Sequence, residues 1–314
     1  MKITIVGVGF IGRAFAIAFA RAGYDVILWA RRPDAEAEAM AHIAAILPSL
    51  AAEDVLNGRN VEEVLGQIRF ESDLAKALSQ ADYVQENVVE DLAQKCDVFE
   101  QLDRLAPPDA ILASSTSALL PSAFTEHLSG RARCLVVHPI NPPFLVPATE
   151  IVPAPWTSPD VVERARLLML DIGQAPIVMK REIDGFVMNR LQGAVLQEAF
   201  RLVAEGYASP EDIDIGIRDG LALRWSFMGP FETIDLNAPE GVRDYVVRYE
   251  GLYAGLFETQ QHRVPWGGAT LESVEASRRE QLKIGDLDER RLWRDRRLAM
   301  MIAHKRAALA KTGP

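Results

Sequence analysis

The chain has 314 residues, 49% of them hydrophobic and 25% charged, which is long for one core and comfortable for two globular domains. A formal net charge of −10, with no long basic run, sets nucleic acid aside, because phosphates would be repelled. The two cysteines, Cys96 and Cys134, form neither a CxxC pair nor a metal-like cluster with the five histidines, so two reduced buried thiols and no metal are expected.

Residues 2–6 (KITIV) are β-branched and predict a strand. The run Gly7-Val8-Gly9-Phe10-Ile11-Gly12 follows, then an apolar helical stretch over 14–22 that Gly23 stops, then a second strand over 25–29. Residues 34–66 read as helices with a break near Pro48. Further short strands are expected at 68–70, 81–85, 110–114, 134–138 and 177–179, mostly separated by helical stretches. Strands alternating with helices imply a mostly parallel sheet covered on both faces. After about residue 183 the pattern changes to helices, at 187–205, 210–221, after Pro230 and over the charged segment 286–311. The expectation is an α/β chain: a doubly wound Rossmann-type domain over 1–183, then an all-α domain over 184–314. The opening MKITIVGVGF runs directly into the glycine motif, and no apolar stretch reaches the roughly 18 residues of a membrane span. A soluble, cytoplasmic protein is expected.

GxGxxG alone is a weak signal, but here it follows a strand and opens a helix, as in a dinucleotide site. Gly7 allows the tight turn, Gly9 lets the backbone approach a pyrophosphate, and Gly12 lets helix and strand pack closely. The N–H groups and positive dipole end of that helix complete the cradle. The end of the second strand bears on which nicotinamide cofactor is used. An acid that would hold the ribose 2′-hydroxyl of NAD is missing at Ala30, and Arg31 and Arg32 follow, which suits the 2′-phosphate of NADP unless both arginines are merely solvated.

Two segments follow strands and therefore face the ligand end of a doubly wound sheet: Ser114-Ser115-Thr116-Ser117 and His138-Pro139-Ile140-Asn141-Pro142-Pro143. Glu150 follows His138 by 12 residues, and a carboxylate behind a histidine would fix its tautomer and raise its basicity. On chemistry alone His138 could equally be a satisfied core histidine, and Ser117 a helix N-cap. Arg224 could clamp a substrate carboxylate or simply pack at the surface. His42, His127, His262 and His304 read as structural or solvated, without partners.

These residues carry a resemblance over nearly the whole chain. GVGFIG, VQENVVEDLAQK, SSTSALLPS, HPINPP, TEIVP, GFVMNRLQ, RWSFMGPFETIDLN and RRLWRD resemble the 3-hydroxyacyl-CoA dehydrogenase superfamily, within it the lambda-crystallin or L-gulonate 3-dehydrogenase branch. The resemblance implies a nicotinamide-dependent dehydrogenase. It implies His138 as catalytic base and Glu150 as its partner. Ser117 and Asn189 would bind the substrate oxygen, and Glu90 would lie near cofactor and substrate. It also implies a homodimer built through the helical half. Ala30 departs from the NAD-using pattern. The substrate expected is a small free 3-hydroxy acid, L-gulonate-like or 3-hydroxybutyrate-like. The reason is that 34–66, where the CoA-using relatives help to hold CoA, has seven acids against Arg59 alone. A 3-hydroxyacyl-CoA dehydrogenase is the alternative, and a non-catalytic crystallin-like protein a remote one.

Overall fold

The computed structural model describes residues 1–32 and 34–313. In chain order the first part contains β1 (Lys2–Val6), α1 (Phe10–Arg21), β2 (Asp25–Trp29), α2 (Ala35–Ala52), α3 (Val61–Gly66), β3 (Ile68–Phe70), α4 (Leu74–Leu78), β4 (Tyr83–Glu86) and α5 (Leu92–Leu105). It continues with β5 (Ile111–Ser114), α6 (Pro121–Thr125), β6 (Cys134–Pro139), β7 (Ala148–Pro153), α7 (Pro159–Asp171) and β8 (Ala175–Val178). The eight strands form one sheet in the order β3-β2-β1-β4-β5-β6-β7-β8. All neighbours are parallel except β6 and β7, so the first six strands have the 3-2-1-4-5-6 order of a Rossmann sheet.

Burial follows the pleat. Ile111, Ala113, Leu135 and Val137 pack into a core with Phe15 and Phe19 of α1 and Leu168 of α7. The alternate residues Leu112, Cys134 and Val136 pack into a second core with Phe99 of α5 and Phe124 of α6. A strand buried on both faces reads as a continuous apolar run, as these do.

Three local expectations change. The helix over Ala35–Ala52 runs through Pro48 without a break. Its buried face (Ala35, Ala39, Ile43, Leu47) keeps its four-residue spacing up to the proline, and that packing outweighs one lost backbone hydrogen bond. The strand β7 was not foreseen, because Pro147 and Pro153 bracket it and prolines argue against a central strand. Cys96 is half-buried rather than buried; Cys134 is buried, and burial pushes its thiol up to about 12.

The later part is helical: α8 (Met188–Ala204), α9 (Pro210–Ile215), a π-helical turn (Gly216–Leu221), α10 (Ala222–Trp225), α11 (Pro230–Leu236), α12 (Val242–Gln260), α13 (Gly268–Gln281) and α14 (Leu287–Thr312). By contacts, Asn189–Leu292 forms one compact unit, and Met1–Met188 with the chain from Trp293 onward forms the other. Within that first unit, Ala299 of α14 is buried in the core that α1 lines. Among the described residues no helix is long and apolar enough to cross a membrane.

Candidate active site

The glycine run forms the turn from β1 into α1. Gly7 has φ +95°, a conformation that favours glycine, and a Cβ there would lie 2.8 Å from the carbonyl oxygen of Asn87. A Cβ on Gly12 would lie 1.9 Å from the Gly7 carbonyl oxygen, so helix and strand close over this position. At Gly9 a Cβ meets nothing within 4 Å. Gly9 also caps α1 without any side-chain bond, and no acid occupies the first turn. The first N–H groups of α1 thus stand beside open space, which fits a dinucleotide pyrophosphate. Phe10, exposed, and Ile11 flank the turn.

At the end of β2, Arg31 and Arg32 are both exposed. Arg32 is not merely solvated. Its guanidinium donates to Asp34 at 3.2 Å and to Glu38 at 2.9 Å, and the other oxygen of Glu38 meets Arg13 at 3.4 Å.

The centre of the site is His138. It sits on β6 two positions beyond Val136, directly opposite Glu150 of β7 in the antiparallel register. Paired residues project to the same face, and here Nδ1 of His138 lies 2.8 Å from Oε2 of Glu150, with both side chains buried. The other oxygen of Glu150 accepts the backbone N–H groups of Val187 at 2.6 Å and Met188 at 2.9 Å. Burial alone would raise the Glu150 carboxyl. The hydrogen bonds from His138, Met188 and Val187, with the nearby imidazole charge, outweigh it and hold the group below the usual carboxylate range. A carboxylate at Nδ1 fixes the tautomer that leaves the Nε2 lone pair for a substrate proton. His138 is therefore no isolated core histidine.

Phe186 joins this site without having been foreseen. Its ring is fully buried, 5.5 Å between centroids from the His138 imidazole, and its backbone takes φ +49°, which a bulky residue rarely adopts. The Gly185-Phe186 pair of the GFVMNRLQ motif was the available signal.

Ser117 follows β5 in the turn before α6. It is not a helix cap, since α6 is capped by Leu120. Its backbone N–H donates to Oε1 of Glu90 at 3.2 Å, as does that of Ala118 at 3.0 Å, and the Thr116 hydroxyl donates to the same oxygen. Behind it is a buried ion pair whose two members both lie in the VQENVVEDLAQK motif. Lys95 Nζ lies 3.0 Å from both carboxylate oxygens of Glu86. Removing one partner of such a pair costs about 3–5 kcal/mol, because the other is left charged and dry. The signal was available on α5, where Lys95 shares the buried stripe of Val98, Phe99 and Leu102 at helical spacing.

Thus His138 and Glu150 meet each other, and Glu90 meets the turn bearing Ser117. Asn189 and Arg224 belong to the second unit, Asn189 in the first turn of α8 and Arg224 on α10. Two other histidines have partners after all: His127 lies 3.2 Å from Glu100 and His262 3.8 Å from Glu205. His42 meets the Phe10 ring edge-on, with centroids 6.1 Å apart.

The geometry can be set beside known proteins. The profile of the 3-hydroxyacyl-CoA dehydrogenase NAD-binding domain matches residues 2–183, and that of the C-terminal domain of the same enzymes matches residues 185–281. A lambda-crystallin homolog of Bos taurus is 43% identical over 298 residues, covering 93% of this chain and 92% of its own. An L-carnitine dehydrogenase of a Pseudomonas species is 37% identical over 246 residues, covering 78% of this chain and 74% of its own. Among solved structures, an NAD+-dependent 5-formyl-3-hydroxy-2-methylpyridine 4-carboxylic acid 5-dehydrogenase superimposes with a TM-score of 0.81 at 29% identity, covering 95% of this chain and 96% of that one. The 3-hydroxybutyryl-CoA dehydrogenase of Escherichia coli K12 gives 0.69 at 28% identity, covering 90% of this chain and 58% of that one.

Proposed function

The chain belongs to the 3-hydroxyacyl-CoA dehydrogenase family, and from that premise we propose that it oxidises the 3-hydroxyl of a small free hydroxy acid. The observation that carries the chemistry is the buried His138–Glu150 pair at 2.8 Å. His138 Nε2 takes the hydroxyl proton, and Glu150 stabilises the imidazolium that forms. Ser117 and Asn189 hold the substrate oxygen, where each donor contributes on the order of a few kcal/mol in the transition state. Gly7, Gly9 and Gly12 with the start of α1 hold the pyrophosphate, Phe10 and Ile11 flank it, and Glu90 supports the site from the Ser117 turn. When bound, the nicotinamide cofactor accepts the hydride. A crystallin-like role without turnover has no need of this set.

The family match supports NAD. A preference for NADP is our further reading, carried by Ala30, Arg31 and Arg32. Arg32 is held by two carboxylates, but its side chain is 64% exposed, and exposed pairs contribute only about 0–1 kcal/mol each. A doubly charged phosphate can displace them.

The preference for a free acid, L-gulonate-like or 3-hydroxybutyrate-like, over a thioester is carried by the acids of α2, α3 and their connection. Asp34, Glu36, Glu38, Asp54, Glu62 and Glu63 are all exposed. Such a surface repels the phosphates of CoA unless the acids face away from the substrate. A compact carboxylate needs one clamp, and Arg224 is our candidate. Direct competition tests this: reduced cofactor with acetoacetyl-CoA beside small 3-oxo acids. A higher kcat/KM on the thioester would promote the alternative, a short-chain 3-hydroxyacyl-CoA dehydrogenase. We also read the active form as a soluble homodimer joined through the helical half, 184–314. In the second unit α9, α10, α12 and α13 contain no buried residue. Phe227, Phe231, Val247 and Phe257 are exposed within one protomer, an apolar surface that a second copy would cover.

A further inference from the structure

Arg13 follows the glycine run directly, and the proposed chemistry does not use it. It stands at the start of α1, with its backbone N–H bonded to the Gly9 carbonyl oxygen at 3.0 Å. Its side chain is only 9% exposed, and its Nε finds no acceptor among the described residues. A guanidinium that has given up its hydration needs a counter-charge close by. The one ion-pair partner found for it among the described residues is Glu38 of α2, at 3.4 Å, which is long for a charge-assisted bond. The neighbouring rings add no anion. The guanidinium carbon lies 5.3 Å from the centroid of the Phe10 ring, whose other neighbour is His42. Burial, and after it the Arg13 charge, push the His42 imidazole below the usual histidine range, against the pull of Glu38.

Glu38 is shared unequally between two arginines. Its Oε2 accepts from the exposed Arg32 at 2.9 Å, while its Oε1 faces the buried Arg13 across the longer gap. The Glu38 side chain is 61% exposed, so it has room to move. Asp34, also exposed, is the second acid on Arg32. A phosphate arriving at Arg32 repels both acids. Asp34 can turn into water. Glu38 has a better course: moving wholly onto Arg13, it gives the buried guanidinium the close partner it lacks, and that gain offsets the bond lost at Arg32.

We propose that Arg13 is a positioning residue that tunes cofactor specificity through Glu38: it draws Glu38 off Arg32 when a 2′-phosphate is present. This rests on the reading of Arg31 and Arg32 as the 2′-phosphate site. With a free 2′-hydroxyl nothing displaces Glu38, so the effect of Arg13 is confined to the phosphorylated ligand.

The test uses the full-length protein and two ligands that differ only in the 2′-phosphate, adenosine 2′,5′-bisphosphate and 5′-AMP. Kd for each is measured by calorimetry on the wild type, Arg13→Met, Arg13→Gln, Glu38→Gln and the paired Arg13→Met/Glu38→Gln variant, with Tm recorded on all five. The wild type binds the bisphosphate at least about fivefold more tightly than 5′-AMP. Arg13→Met narrows that advantage at least about threefold, while Kd for 5′-AMP stays within about twofold. Arg13→Gln does the same and covers the case of an Arg13→Met protein that fails to fold. Glu38→Gln widens the advantage. The paired variant matches Glu38→Gln within about twofold, because an uncharged side chain at position 38 leaves Arg13 nothing to draw away. An unaltered advantage in both Arg13 variants would overturn the proposal. So would an equal narrowing with and without the Glu38 charge, since Arg13 would then act on the phosphate directly. Equal affinity of the wild type for the two ligands would instead overturn the 2′-phosphate reading, and the role of Arg13 with it. Binding needs no turnover, so the result does not depend on the proposed activity.

Discussion

Nδ1 of His138 stands 2.8 Å from Oε2 of Glu150 because β6 and β7 pair the two residues directly across an antiparallel ladder. The carboxylate is held low by three donors against the upward push of burial. A group whose folded pKa lies below its unfolded value, about 4.3 for glutamate, contributes stability that is present above that value. The contribution is lost as pH falls through the folded pKa. The wild type should therefore lose Tm in acid, below about pH 4, and Glu150→Gln should lose it less steeply. Thermal melts of both proteins across the acid range check this. Parallel Tm profiles would show that the Glu150 bonds contribute nothing on folding.

The glycines separate fold from cofactor. Gly12→Ala places a methyl group 1.9 Å from the Gly7 carbonyl oxygen, and the backbone has to move. Gly9→Ala meets nothing in the protein. We expect Gly12→Ala to lower Tm sharply, by a few kcal/mol or more of stability. Gly9→Ala should melt like wild type and bind cofactor at least about tenfold more weakly. Unaltered cofactor Kd in Gly9→Ala would place the pyrophosphate elsewhere.

Glu38 joins Arg32 to Arg13 at the end of β2. The wild type should use NADPH at least as well as NADH, and Glu38→Gln should shift the kcat/KM ratio further toward NADPH, by roughly threefold to tenfold. A tenfold advantage for NADH in the wild type would make Arg31 and Arg32 bystanders.

The exposed apolar side chains of the helical unit predict a dimer at micromolar concentration, and light scattering coupled to gel filtration reads it directly. Phe231→Glu or Val247→Glu should weaken the association. A monomeric wild type would contradict the second copy as the cover for these helices.

Much of the fold was legible because β-branched runs and the GxGxxG turn carry their own local signals. The unforeseen elements are those where tertiary packing overrides local preference. The helix over Ala35–Ala52 passes Pro48 because its buried face is continuous. Helix Val242–Gln260 was not singled out, since Gly251 and Gly255 weaken its local signal. In the site, the His138–Glu150 distance followed from a register that only the unforeseen strand β7 could supply. Phe186 and the Glu86–Lys95 pair escaped for different reasons: Phe186 meets the ring of a residue far away in sequence, His138, whereas Lys95 stands only nine residues from Glu86 but is read by default as a solvated lysine.

The most direct measurement is the time course of reduced nicotinamide formation from a small 3-hydroxy acid. It should be recorded for the wild type and for His138→Gln, with cofactor Kd measured on both. The wild type should turn over, and the variant should lose roughly a hundredfold to ten-thousandfold in kcat while binding cofactor normally. Near-native turnover by His138→Gln would contradict the assignment of His138 as the base.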